Sequence, residues 1–354
     1  MDLRTSSTTR RAFLRFLGVG AGASLMAACA PSTPPATQPS ASGATAAPAA
    51  ASSKDVIPVK IAHVAPTEHP LHAASTTVAD LLNQKSNGRF QAEVLPNGQL
   101  GGEKDILEAI VRGDVQATGA STIIASYAPR VQILDLPFLF KDMDHVVRVL
   151  DGPVGQTLRQ DLEGKGFHTV GQYPLLPRIV ASKRQISQLD DFKGMKLRAP
   201  EIDVYIAAIK AMGATPVTIP YTEIYTSVQT GVVEGLEADP ISIFSSKFHE
   251  VAPFGARTNH IIQTHTFVFG GPWYQALPAD LKALVDDAGK QGAAAGIKYS
   301  KDNGQKALDG LAAAGFKLSD IDVAPLRAAV AGLYDDYGKK LDAADLIKKA
   351  QDTP

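Results

Sequence analysis

A disulfide framework, a membrane span and a basic surface are all missing from this sequence. The only cysteine among 354 residues is Cys29, and a lone thiol cannot close an intramolecular bridge. No run of about 18 or more apolar residues occurs, so no internal transmembrane helix is expected. The formal net charge is −1, which leaves no basic excess to attract nucleic acid. The body of the chain has no nucleophilic cysteine, no GxSxG elbow and no HExxH pair, so the common hydrolase signatures are absent. No internal repeat is visible. What remains is an ordinary globular composition, 45% hydrophobic and 20% charged, in a chain long enough for two domains.

The N-terminus is built differently from the rest. "TTRRAFLRFLGVGAGASLMAAC" pairs Arg10 with Arg11 and continues into a short apolar run rich in glycine and alanine. Residues 1–28 therefore read as an export signal, outside the fold. The adjacent arginines resemble a twin-arginine signal; the alternative is the general secretory route. "LMAAC" resembles a lipobox, which makes Cys29 either a lipid-modified N-terminus or, less in keeping with its place, a structural thiol. The "GVGAGA" stretch is no dinucleotide fingerprint, because no strand–turn–helix unit surrounds it. Residues 29–55, rich in Pro, Ser, Ala and Thr, cannot bury enough apolar surface to order themselves and read as a flexible tether. Loss of residues 1–28 removes four arginines and Asp2, leaving 31 basic and 35 acidic side chains, net −4. An anion would have to be attracted by local charge.

The body alternates between two periods. "VKIAHV", "FQAEVL" and "VQATGAS" are strand-like, rich in β-branched residues. Between them, Leu71, Ala74, Val78, Leu81 and Leu82 share one helical face, and Ile106, Leu107, Ile110 and Val111 another. The alternation continues with "GFHTVGQY", "RIVAS", "MKLRA", "ATPVTI" and "VVEGLEA" as strands, and a long helical stretch runs from about Pro278 to Ala314, interrupted by glycines. An α/β fold with a largely parallel sheet is expected.

"FKGMKLRAP" sets Arg198 at the end of a probable strand, with Pro200 suited to the first position of a helix. In open α/β sheets ligands bind at the carboxyl ends of strands. Free N–H groups at a helix start favour an anion there, and an arginine adds a planar fork that matches a carboxylate. The alternative is a structural ion pair with Glu201 or Asp203. His69 and His72 lie in the first strand–helix connection and read either as a solvated helix start or as facing a cleft; no third ligand at a familiar spacing completes a metal site. His260 and His265 read as core or supporting residues. Gly101 and Gly102 suit a tight turn.

"KIAHVAPTEHPLHAAS", "KSNGRFQAEVLPNGQLGGEKDILEAIVRGDVQ", "VQILDLPFLF", "LDDFKGMKLRAP", "ATPVTIPYTEIYTSVQTGVVEGLEA" and "SKFHEVAPFGARTNH…PWYQALPADL" together resemble the DctP-type solute-binding proteins of TRAP transporters, from about residue 57 to 300. The resemblance implies a two-domain, periplasmic-binding-protein-like fold with a hinge, an interdomain cleft and a long connecting helix. Domain I would hold residues 56–175 and about 264–303, domain II residues 176–263 and about 304–354. It implies an extracytoplasmic receptor for an organic acid, no cofactor, and a two-subunit membrane permease as partner. The family's "GmKiRvP" arginine, which holds the ligand carboxylate, is Arg198 here. Arg178 is the second arginine, and Tyr221 the aromatic that lines the cleft. Where the family's "vvDGqEn" ends in asparagine, this chain has Ala238 and then Asp239. Glu237 and Asp239 are left with three readings: contact with a ligand hydroxyl or amine, a cation site, or capping of the following helix. Trp273 in "GGPWYQALP" is a further candidate for the cleft; the alternative, more in keeping with the family, is packing. A sensor feeding a signalling partner, or a secreted enzyme, are the competing functional classes.

Overall fold

The computed structural model describes residues 56–354. The signal segment, Cys29 and the tether lie outside the described residues. Eleven strands follow in chain order: β1 (Ile57–Ala62), β2 (Phe90–Leu95), β3 (Ala117–Ala120), β4 (Phe167–Pro177), β5 (Ile179–Ser182), β6 (Lys196–Ala199), β7 (Thr215–Thr218), β8 (Gly235–Ala238), β9 (Phe254–Arg257), β10 (Ile262–Gly270) and β11 (Lys317–Asp320). They form two sheets, in the orders β2-β1-β3-β10-β4 and β11-β9-β5-β8-β6-β7. Each is the floor of one lobe.

The sheets are mixed, which corrects the expectation of a largely parallel one. β1 runs parallel to β2 and β3, but β10 is antiparallel to β3 and β4. β6 runs parallel to β7 and β8, but β5 is antiparallel to β8 and β9. The cause is the crossing between lobes. β4 passes into β5 through the single residue Arg178, so the chain enters the second sheet without a helix to restore its direction. β9 and β10, four residues apart, make the return crossing. A parallel neighbour needs a long crossover, and these two strands have none.

Local signals account for most helices. The helix Pro70–Lys85 starts at His69, whose extended backbone and ring nitrogen cap it, with proline in the first turn. Its buried face is Leu71, Ala74, Val78 and Leu82. The helix after β6 differs from expectation. It starts at Asp203, with Ile202 as its cap, so Pro200 lies in the loop before it. Its far end keeps the glycine stop, Gly213 having φ +92°.

The long helix, Ala279–Ala313, runs unbroken for 35 residues, roughly 50 Å at about 1.5 Å per residue. Its glycines are contact points, where the sequence reading took them as interruptions. A Cβ built on Gly289 would sit 2.1 Å from Val170, and one on Gly296 would sit 2.7 Å from Tyr173. Further along, Gly304 faces Leu176 and Gly310 faces Phe244. Glycine costs about 1 kcal/mol in a helix relative to alanine. Here that cost lets one helix lie close against β4 of the first lobe and against the helix Pro240–Ser245 of the second.

Candidate functional site

A cavity of about 330 Å³ lies between the two lobes. Six strands end at it. Past β1 come Val64, Ala65 and His69, past β2 Gly102 and Glu103, and past β3 Ser121 and Ile123. From the other lobe, Arg198 and Pro200 stand at the end of β6, Ile219 and Tyr221 past β7, and Ser242 past β8. Arg178, Gln263 and His265 come from the crossing strands. Carboxyl ends of strands on both sides thus face one space, the usual place for a ligand in open α/β sheets.

Two arginines share the wall, and only one is neutralised. Arg178 is bonded through Nε and Nη2 to the carboxylate of Glu237, with Nη2 also 2.6 Å from the Glu237 carbonyl and Nη1 2.7 Å from Oε1 of Gln263. All three side chains are buried. Burial alone would raise the Glu237 carboxyl, but the Arg178 guanidinium overrides it and holds it at about 2. Arg198 is equally buried, 5% exposed, yet its one hydrogen bond runs from Nε to the carbonyl of Ile219, 2.8 Å. It has no ion pair. The alternative partner Asp203 is taken by Lys340 at 2.6 Å, and Glu201 is exposed. Burial lowers the Arg198 pKa to about 10, Glu237 opposing and Arg178 adding to the shift. Arg198 therefore stays charged at neutral pH. The Asp203 helix begins five residues beyond Arg198, so its N-terminus is not the adjoining anion site the sequence suggested.

Tyr221 lines the cavity; its ring meets Phe248 edge-on and its hydroxyl is 2.8 Å from Ser246 Oγ. Glu237 and Asp239 stand behind the wall. Glu237 serves Arg178 and approaches His260 at 3.7 Å, so it caps nothing. Asp239 caps the helix Pro240–Ser245, accepting from the N–H groups of Ile241 and Ser242 at 3.0 and 3.1 Å. With these partners neither carboxylate is left to hold a cation. Among the described residues no group of three or more His, Cys, Asp or Glu is arranged to hold a metal ion. Trp273 is away from the cavity, stacked on Phe269 and against Phe90, because the start of its helix returns to the back of the first sheet.

His69 is no solvated helix start. It is 3% exposed and joins the lobes. The Leu71 N–H donates to its Nδ1 at 3.1 Å, so Nε2 carries the proton and donates to Ser242 Oγ at 3.0 Å. The Ser242 hydroxyl in turn donates to Asp239. Burial lowers the His69 pKa to about 4, with Asp239 opposing, and the ring is neutral. His72 pairs instead with His63 at 3.1 Å.

Glu103, Ser121 and Gln263 line the cavity and were not singled out from the sequence; His265, read there as core or supporting, lines it too. Gln263 and His265 lie two apart on β10, so the alternation of a strand puts both on one face; that period was the available signal. Glu103 follows the turn at Gly101, whose φ is +98°. Its carboxylate accepts from the Ser121 N–H at 2.7 Å and from the Ser121 hydroxyl. Burial raises its pKa to about 7, Ser121 and Arg198 opposing.

These groups set an acid profile. Burial lowers His63 and His69 to about 3 and 4 and also lowers His72, His145 and His265; these rings bind fewer protons folded than unfolded, so their contribution is full above about 6.5 and lost as pH falls. Glu103 and Asp135, raised by burial to about 7 and 6, act oppositely and favour the fold as pH falls towards about 4.5. Glu237 loses its contribution between about 4.5 and 2. Urea midpoints should begin to fall as pH drops below about 6.5, because five histidines lowered by burial outnumber the two raised carboxylates. Midpoints that stay level from about pH 7 to 5 would show that the carboxylates offset the histidines.

A model of the bacterial extracellular solute-binding proteins, family 7, matches residues 61–340. A curated relative, "Solute-binding protein" of Verminephrobacter eiseniae, is 34% identical over 284 residues, covering 78% of this chain and 84% of the relative. Among solved structures, a TRAP periplasmic solute-binding protein from Xanthobacter autotrophicus Py2 with bound β-D-galacturonate has a TM-score of 0.81 at 26% identity, covering 84% of this chain and all of that one. A TRAP periplasmic solute-binding protein from Sulfurospirillum deleyianum with bound succinate has a TM-score of 0.80 at 29% identity, covering 84% and 99%.

Proposed function

We propose that this chain, which belongs to the bacterial extracellular solute-binding proteins of family 7, captures an organic acid between its lobes through Arg198. The observation that carries the reading is a buried guanidinium on a cavity wall with one backbone bond and no ion pair. A carboxylate fits such a group by charge and by the geometry of the fork. The solved relatives hold β-D-galacturonate and succinate, which supports a carboxylate as the class of ligand. Arg178, held by Glu237, contributes a second, weaker contact, and Tyr221 covers the ligand. The two lobes act as domains, residues 56–175 with about 264–303 against 176–263 with about 304–354, closing about the β4–β5 and β9–β10 crossings. Contacts across the cavity, His69 to Ser242 among them, stabilise the closed form.

In this reading the protein is a receptor with no turnover of its own. It hands the acid to a TRAP-type permease in the membrane. Cys29 is its lipid-modified N-terminus, with residues 29–55 as tether, outside the cytoplasmic membrane. The intact mass of membrane-extracted protein tests the anchor: a diacylglycerol-modified Cys29 is expected, and an unmodified N-terminus at another residue removes it.

Calorimetry tests the site. An acid that binds the parent should bind Arg198→Ala more weakly by about 2–5 kcal/mol, roughly 30-fold to several-thousand-fold, because its charge is left buried and unpaired. Arg198→Lys should also bind poorly, lacking the fork. Arg178→Ala should lose less. A folded Arg198→Ala that binds within a few-fold of the parent sinks the reading.

A further inference from the structure

We propose that Glu103 makes the cavity selective for a hydroxylated monocarboxylic acid over a dicarboxylic acid; the inference rests on Arg198 receiving the ligand's carboxylate. The charges on the wall decide it. Arg178 is matched by Glu237, so among the described residues Arg198 is the one buried cation there with no carboxylate bonded to it. The other charged lining residues, Lys104, Asp105, Glu201 and Glu223, are exposed and their fields are screened by solvent and salt. His69 and His265 are buried with lowered pKa and contribute no charge. Glu103 belongs to the first lobe and Arg198 to the second, and an acid held at Arg198 spans from one to the other.

Glu103 is held ready for donors. The N–H and hydroxyl of Ser121 fix one bond to each carboxylate oxygen, and each oxygen keeps further acceptor capacity. Burial raises its pKa to about 7, so at pH 8 it is chiefly an acceptor-only carboxylate. Ligand hydroxyls can donate to it. A second ligand carboxylate would meet a like charge in a partly desolvated space where, with Arg198 taken, the described residues leave no unpaired buried cation to offset either and Lys104 is screened at the surface. A second acid group is thereby rejected and a hydroxyl accepted at the same place.

The test is calorimetry at pH 8 with the sodium salts of D-glycerate, D-gluconate and D-glucuronate against succinate and glutarate. At least one hydroxy acid should bind the parent about tenfold or more tighter than either dicarboxylate, the scale of a hydrogen bond to a charged group. Glu103→Gln keeps an acceptor for the Ser121 N–H, so it should fold. It should weaken hydroxy-acid binding and strengthen dicarboxylate binding, narrowing the ratio by about tenfold. Ser121→Ala, which loosens the carboxylate but leaves its charge, should weaken the hydroxy acid and still reject the dicarboxylates. Succinate or glutarate binding the parent as tightly as any hydroxy acid, or an unchanged ratio in Glu103→Gln, overturns the selectivity and leaves the Arg198 reading standing. No heat from any of the five acids with folded parent overturns both.

Discussion

Two buried guanidiniums share the cavity wall and only that of Arg178 is bonded to a carboxylate among the described residues, and that imbalance organises the cavity. Glu237 takes Arg178 in a two-pronged pair, and the pair needs Gln263 and the Glu237 carbonyl to satisfy the remaining donors. A buried ion pair satisfied in this way can stand; a buried charge without one is costly. Arg198 is the costly one. Its position at the end of β6 is held by the parallel register with β7, where it pairs with Val217, and by its bond to Ile219. The sheet holds a cation to which no carboxylate among the described residues is bonded.

The fold makes the imbalance useful. Because β4 enters β5 at Arg178, the neutralised arginine sits on the crossing itself. The free one sits on the second lobe and Glu103 on the first. The long helix packs along both lobes through glycine contacts, which leaves the cavity side to short loops. Those loops already touch across the cavity, Gly98 against Thr222 and His69 against Ser242. An acid bound between Arg198 and Glu103 adds to these ties, so binding and closure draw on the same contacts.

Much of this was legible in the residues. Strand and helix periods gave most elements, and the strand-end rule with "KLRAP" led to Arg198. Quoted motifs pointed to Arg178 and Tyr221, which also lie on the wall. Two of the undecided readings depend on partners distant in sequence. Nothing near Arg178 announces Glu237, 59 positions away, and that partner decides which arginine is free. For His69 two readings stood, a solvated start and a place facing the cleft; nothing local decided between them, because Ser242, 173 positions on, is invisible locally. For Trp273 in "GGPWYQALP" the alternative of packing is the one the structure has, against Phe269 and Phe90. Pro200 fitted a helix start that the chain delays to Asp203, and the mixed sheets follow from crossings that local periodicity does not encode.

The central claim is that Arg198 is a buried charge awaiting an anion, and the thermal stability of Arg198→Met tests it most directly. Methionine keeps similar bulk and removes the charge. Without ligand, the variant should melt at or above the parent temperature, because an uncompensated buried charge has been removed. A carboxylic acid that raises the parent's melting temperature by binding only the folded form should leave the variant unmoved. A variant that melts well below the parent and is still stabilised by the acid would contradict the account.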